Sequence, residues 1–267
     1  MSTRHFLKLA STLAVGLVLA ACSKQEPAAP VVAASAPASE PAPVKVYTVG
    51  TDAAYAPFEY QNEKGEIVGF SVDLLTAVAE KGGFQVKFIN TPWEGIFNAL
   101  TQGDRDLLIS SITITDERKQ TMDFSDPYFD ADQSLLIPAD STVKTLDDLA
   151  GKTIGVQTGT TGETYANENK PEGATVKAFP DASALFAALQ ADDIQAVLQD
   201  LPVNSDRATK DSKVEVVETF KTGEQYGFVV AKDNTELQGE LNAGLKAVTD
   251  DGTKDEIYQQ YFPNAGN

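Results

Sequence analysis

The chain has 267 residues, with 21 Lys+Arg against 39 Asp+Glu, and a formal net charge of −18. That surplus of anions speaks against nucleic acid as a partner, because phosphates demand clustered cations. With 42% hydrophobic residues the chain can bury a core, which speaks against wholesale disorder, and its length fits one large domain or two small ones of roughly 100 to 200 residues each.

In chain order, the first segment reads as an export signal over residues 1–21. Arg4 and Lys8 make a basic start, and Leu9 to Ala21 is a 13-residue stretch without a charge, shorter than the about 20 apolar residues that a membrane-spanning helix needs. It ends Leu19-Ala20-Ala21-Cys22, similar to the bacterial lipobox, at which cleavage precedes a Cys carrying a diacylglyceryl thioether. Cys22 would then be the first mature residue and the lipidation site, and loss of Arg4 and Lys8 with no acid would take the charge from −18 to −20. From Ser23 to Val44 the chain holds five of its 13 prolines and seven alanines. Such a tract favours extended conformations, so residues 22–44 read as a lipid-anchored linker that holds a folded body away from a membrane.

Cys22 is the only cysteine and His5 the only histidine. Acylation would consume the first and cleavage would remove the second. Ser-His and Cys-His nucleophile pairs and ordinary zinc sites are then unavailable. No calcium loop of alternating acids around a central Gly is present either, so neither a metal nor a cofactor is expected.

The body begins near Lys45. Val46 to Thr51 predicts a strand; Phe70, Leu74, Leu75, Val78 and Ala79 predict a helix ended by Gly82-Gly83; Gln85 to Asn90 predicts a second strand. A helix from Trp93 to Leu100 and a strand from Leu107 to Ser110 complete a βαβαβ unit and hence a parallel sheet. After Leu135 to Pro138 the pattern restarts. Thr145-Leu146-Asp147-Asp148 predicts a capping box, followed by strand Thr153 to Val156, helix Glu163 to Asn169, strand Thr175 to Phe179, helix Asp181 to Ala191 and strand Ala196 to Gln199. Tyr226 to Val230 predicts a strand, and Leu237, Leu241, Leu245 and Val248 a helix, with Ile257, Tyr258 and Phe262 closing the body. In such α/β units ligands sit at the carboxyl ends of strands.

Several segments carry a resemblance over nearly all of the body: Thr51-Asp52-Ala53-Ala54-Tyr55-Ala56-Pro57-Phe58-Glu59, Gly69-Phe70-Ser71-Val72-Asp73-Leu74 and Ser110-Ser111-Ile112-Thr113-Ile114-Thr115-Asp116-Glu117-Arg118. Further on come Asp123-Phe124-Ser125-Asp126-Pro127-Tyr128, Asp148-Leu149-Ala150-Gly151-Lys152, Gly155-Val156-Gln157-Thr158-Gly159-Thr160, Gln225-Tyr226-Gly227 and Asp251-Gly252-Thr253. In this order and spacing the chain resembles bacterial extracellular solute-binding proteins of family 3, the binding lipoproteins of polar amino-acid ABC transporters. The family usually has Asp where this chain has Ser71. The resemblance implies an α/β fold, the two-lobed periplasmic-binding-protein fold of type II with a two-strand hinge. Lobe 1 would be discontinuous, 45–131 and 227–263, and lobe 2 would span 132–226, with crossings near Asp130 to Leu136 and Gln225 to Val230.

It further implies a set of binding roles. A cleft that closes over an α-carboxylate and an α-ammonium needs a charged partner for each. Arg118 matches the carboxylate partner, and its planar fork suits two parallel hydrogen bonds; alone it would read as a solvated member of the charge run Asp116 to Lys119. Thr113 would add a hydroxyl and a backbone N–H. Ser110 lines the same strand end, and Ser111 would offer its carbonyl to the ammonium. Asp200 matches the ammonium-binding carboxylate, with capping of the turn at Leu201-Pro202 as the bland alternative. Thr161 would present its N–H at a helix start. Tyr55 and Trp93 match aromatic walls, although single aromatics are more often core, and Asp52 and Gln157 match side-chain readers.

Three classes compete. A binding module for uptake needs only the cleft and an anchor. A relative with enzymatic activity, of the cyclohexadienyl dehydratase kind, would use Glu59 or Asp52 as general acid, but partners for both ammonium and carboxylate favour a bound amino acid and no catalysis. A receptor ectodomain would continue into an apolar span; none follows Phe262, so that expectation fails unless a separate subunit signals. The expectation is therefore a monomer held in the envelope of a bacterium by its lipid anchor. It would bind a free L-amino acid and serve ABC permease subunits, with arginine the first candidate ligand and glutamine or cystine behind it.

Overall fold

Short β-branched runs alternating with amphipathic helices cannot bury their apolar faces alone, and here they do so in two layered α/β lobes. The computed structural model describes residues 44–263; the expected signal segment, Cys22 and the Pro/Ala tract up to residue 43 lie outside the described residues. Chain order begins with β1 (Val46–Thr51), then the short strands β2 (Ala54–Tyr55), β3 (Glu59–Gln61) and β4 (Ile67–Val68), which form a separate three-stranded sheet. There follow α1 (Phe70–Gly82), β5 (Gln85–Asn90), α2 (Ile96–Thr101), β6 (Leu107–Leu108) and β7 (Met122–Phe124).

β8 (Phe129–Pro138) enters the second lobe, which continues through β9 (Thr153–Gln157), α3 (Thr161–Asn169), β10 (Thr175–Phe179), α4 (Ala182–Gln190), β11 (Ala196–Asp200), α5 (Leu201–Lys210) and β12 (Val214–Tyr226). The chain then returns to the first lobe as β13 (Val229–Ala231), α6 (Thr235–Asp250) and α7 (Thr253–Tyr261). The first sheet runs β5-β1-β6-β13-β7 and the second β10-β9-β11-β8-β12. The predicted parallel pairs are there: β1 lies between β5 and β6, and β9 between β10 and β11. Each sheet also carries antiparallel members, β13 with β7 and β8 with β12.

Period-3.6 patterning decides which helix faces are buried. Leu74, Leu75 and Val78 of α1 share a core with Leu237, Leu241, Leu245 and Val248 of α6. The helices approach so closely that a Cβ at Gly244 would stand 2.3 Å from the Val78 carbonyl oxygen, so only glycine fits there.

Some boundaries differ from expectation. The third strand stops at Leu108 rather than Ser110, and Trp93 lies in a turn three residues before α2. α3 starts at Thr161, not Glu163, because Thr160 is its cap. The capping box forms at Thr145 and Asp148, but on a single 3₁₀ turn. Sequence reading passed over β12 before Tyr226, where the register with β8 shifts between Phe220 and Glu224 and apolar alternation is lost. Phe129–Pro138 is one strand of the second sheet, while Phe129 and Ala131 at its start pack into the core of the first lobe. The expected strand 226–230 breaks at Gly227-Phe228. The segments that connect the two sheets are tied together: Ser125 N–H donates to the Phe228 carbonyl at 2.9 Å, and Phe228 N–H donates to Ser125 Oγ at 3.0 Å.

Candidate functional site

The carboxyl ends of β1, β6, β9 and β11 face one another across the gap between the lobes, the position where open α/β sheets bind ligands. Residues just beyond those ends line one cleft: Asp52, Tyr55, Ser110, Ser111 and Thr113 with Trp93 and Arg118 from the first lobe, and Gln157, Thr160, Thr161 and Asp200 from the second. All ten residues singled out as cleft-lining by sequence come together, and Thr160 joins them. The cleft leaves about 370 Å³ free of atoms, part of it open to solvent.

One end is cationic. Arg118 begins a short 3₁₀ turn and donates from one terminal nitrogen to the Thr113 carbonyl at 2.8 Å and from the other to the Gly159 carbonyl of the second lobe at 3.1 Å. Its guanidinium carbon lies 5.7 Å from the Trp93 ring centre and 5.3 Å from that of Phe97. Among the described residues no carboxylate forms an ion pair with it. A guanidinium has five N–H donors, so donors remain for an anion. Burial lowers its pKa, against the pull of Asp200 and Glu224, yet an arginine stays charged. The Trp93 face, expected to stack on a ligand, thus already carries Arg118, while its indole N–H donates to the Thr158 carbonyl across the cleft at 2.8 Å.

Beside Arg118 stands the start of α3. Thr160 Oγ1 accepts from Glu163 N–H at 3.2 Å, and the Glu163 carboxylate accepts from Gly159 N–H at 2.6 Å. The first-turn N–H groups of Thr161 and Gly162 have no intrahelical acceptor by construction and carry the positive end of the helix dipole. Gly162 lets α3 sit tight on the sheet, since a Cβ there would meet Gln133 Oε1 at 3.0 Å.

The other end is anionic. Asp200 occupies the N-cap position of α5 but makes no side-chain cap bond, which sets aside the capping alternative. Its Oδ2 instead accepts from Tyr55 OH at 2.6 Å and from Tyr226 OH, and its Oδ1 from Gln133 Nε2 at 2.5 Å. Burial pushes its carboxyl up to about 6, against the lowering effect of the Tyr226, Tyr55 and Gln133 hydrogen bonds. The buried hydroxyls of Tyr55 and Tyr226 are raised well above the usual tyrosine value, by burial first and then by Asp200.

Asp52 stands nearby, its own N–H held by Ser110 Oγ at 3.0 Å. Burial raises its carboxyl to about 6 despite a hydrogen bond from the Trp93 backbone N–H. Beneath the floor, Glu59 is fully buried, accepts from Ser111 Oγ at 2.8 Å, and has no partner for Oε2 among the described residues. Burial pushes it up to about 8, so at neutral pH it is mostly a neutral acid. Ser111 sits at φ 49, the left-handed region that non-glycine residues seldom occupy, and Glu59 is the brace that holds it.

Sequence reasoning missed Thr160, Gln133, Tyr226 and Glu224. Tyr226 lies in a segment that carried the resemblance, but Gln133 and Glu224 reach the site only through the register of β8 and β12, for which the sequence has no local signal.

A family model of bacterial extracellular solute-binding proteins, family 3, matches residues 47–264. The "Probable histidine-binding protein" of Neisseria gonorrhoeae is 36% identical over 260 residues, 94% of this chain and 92% of its own length. The lysine/arginine/ornithine-binding periplasmic protein of Escherichia coli strain K12 is 34% identical over 242 residues, covering 86% and 91% of the two chains. Among solved structures, the arginine-, lysine-, histidine-binding protein ArtJ of Geobacillus stearothermophilus superposes with a TM-score of 0.77 at 41% identity, over 82% of this chain and 96% of that one.

Proposed function

The chain belongs to the bacterial extracellular solute-binding proteins of family 3, and from that premise we propose that it captures a polar L-amino acid with a cationic side chain, arginine first, for an ABC importer. One observation carries the reading. A guanidinium with donors to spare and a buried carboxylate line one cleft, one from each lobe. Arg118, with the N–H groups of Thr113 and Thr161, takes the α-carboxylate; Asp200 and the Ser111 carbonyl take the α-ammonium. Asp52 compensates a cationic side chain against the Tyr55 wall. The names of the relatives, which bind histidine, lysine, arginine or ornithine, support the same side-chain class.

Lobe 1 comprises residues 45–131 and 227–263 and lobe 2 residues 132–226, closing about the crossings as hinge. The role is binding without catalysis: Asp52 and Glu59 stand near the cleft, but Glu59 is committed to Ser111. Glutamine is the second reading, favoured by Gln157, which is buried against the cleft and can pair with an amide. The mature protein is a monomer tethered by lipid on Cys22, handing its ligand to membrane permease subunits. Among the described residues no helix is long and apolar enough to cross a membrane.

The test is a melting-temperature screen against the twenty amino acids, because a ligand at a hundred times its dissociation constant adds about 2.7 kcal/mol of stability. Arginine, lysine or histidine should give the largest shift. A screen in which no amino acid shifts the melting point would overturn the reading.

A further inference from the structure

Glu224 has no role in the binding scheme above. It lies on β12 opposite Ala131 of β8, three residues before the chain leaves the second sheet. Its Oε2 accepts from Thr161 Oγ1 at 2.7 Å and from Thr113 Oγ1 at 3.2 Å, and Gln133 Nε2 lies 3.3 Å away. The two threonine oxygens are themselves 3.4 Å apart. Thr113 follows β6 in the first lobe and Thr161 opens α3 in the second, so a single carboxylate oxygen is shared between the lobes.

A threonine hydroxyl has one proton. With both protons directed at Glu224, neither hydroxyl is free to donate into the cleft. Glu224 does not line the cleft; it borders a separate surface groove on the outer side of the threonine pair, beside Lys221, Thr222 and Gly223. The pair therefore stands as a partition between the ligand space and Glu224. An anion in the cleft is left to Arg118 and to backbone N–H groups, while Glu224 acts from behind. Hydrogen bonds to an ionised acceptor are the stronger kind, and the one from Thr113 exists only when the lobes are together.

We propose that Glu224 is a positioning residue that latches the two lobes: it favours the closed arrangement and slows ligand release without touching the amino acid. Only the release rate rests on the amino-acid-binding reading; the closure does not. Gln133 extends the same network, because its amide bridges Glu224 to Asp200.

Trp93 reports closure directly. It is the only tryptophan of the chain, it belongs to the first lobe, and its indole N–H bonds to Thr158 of the second. In the full chain without added amino acid, acrylamide quenching of Trp93 should be about twofold stronger in Glu224→Ala than in wild type, because the closed population falls. Glu224→Gln keeps an acceptor oxygen but not the charge and should fall between the two. In stopped-flow displacement, arginine should leave Glu224→Ala about tenfold faster, the loss expected for hydrogen bonds to a charged group. Thr113→Val, which keeps the Thr113 N–H, should show the same trend, and its double variant with Glu224→Ala should be no faster than the faster single one. Wild-type quenching together with a release rate within twofold of wild type in Glu224→Ala would overturn the proposal, as would additivity in the double variant. If wild type binds no amino acid, the functional reading falls and the quenching series alone still decides the latch.

Discussion

Replacing Asp200 by Asn removes the charge proposed for the ligand ammonium while leaving the shape of the site. The fold should tolerate it. Asn Oδ1 can still accept from Tyr55 and Tyr226, and its NH₂ group can face Gln133, whose amide can turn to offer the Oε1 that is buried without a partner among the described residues. The anion itself is costly in the absence of ligand: burial lifts its pKa from 3.8 to about 6, and each unit is about 1.36 kcal/mol, so on the order of 3 kcal/mol opposes ionisation. Without amino acid, Asp200→Asn should therefore melt at or above the wild-type temperature at pH 7.5. Binding should suffer, because stranding a buried ammonium costs about 2 to 5 kcal/mol, or roughly 30- to 4,000-fold in Kd. Isothermal titration of L-arginine into both proteins measures the ratio. A Kd within threefold of wild type in a variant that melts normally would refute the assignment of Asp200.

Arg118→Ala should weaken arginine by about 2 to 5 kcal/mol in the same titration, and Arg118→Lys should recover less than half of it, since a point charge cannot keep the Thr113 and Gly159 carbonyls and grip a carboxylate as well; full recovery with Lys would rule out the fork. Asp200 and Asp52 must be ionised to hold cationic groups, and both lie near 6 without ligand, so affinity for arginine should fall at least about tenfold between pH 7.5 and pH 5; a flat profile would contradict both roles. Asp52→Asn should weaken arginine far more than glutamine, and equal losses in competition binding would remove the cationic assignment. Glu59, raised to about 8 in the fold, keeps a proton that the unfolded chain releases above its ordinary value of 4.5. It therefore makes stability fall as pH rises from about 4.5 to 8; the melting temperature of Glu59→Gln should decline less over that span, and an unchanged slope would show that Glu59 is not the titrating group.

Most of the first sheet and the core of the second were legible, because β1, β5, β9, β10 and β11 are local β-branched runs and α1 and α6 bury a clean 3.6-residue stripe. The site was legible for a different reason: its residues follow strand ends, and the segments that carry them resemble a family in which they bind. What stayed hidden depends on distant register. β12 crosses two irregularities beside β8, and a bulged, half-exposed strand shows no strict alternation. Gln133, Glu224 and Tyr226 meet Asp200 and Thr161 only once that register is set. Pairing of Arg118 with Trp93 and Phe97 likewise could not be read from spacing, since it depends on how the 3₁₀ turn at Arg118 packs on α2.

The central claim is that the cleft holds an amino acid by both of its backbone charges. Calorimetric titration of the protein with L-arginine and with agmatine, which has the same guanidinium and chain but no α-carboxylate, tests it most directly. Arginine should bind at a single site, and agmatine should bind at least about 30-fold more weakly, the loss of one buried charge partner. Agmatine binding as tightly as arginine, or no heat with either while glutamine, histidine and lysine are silent too, would contradict the account.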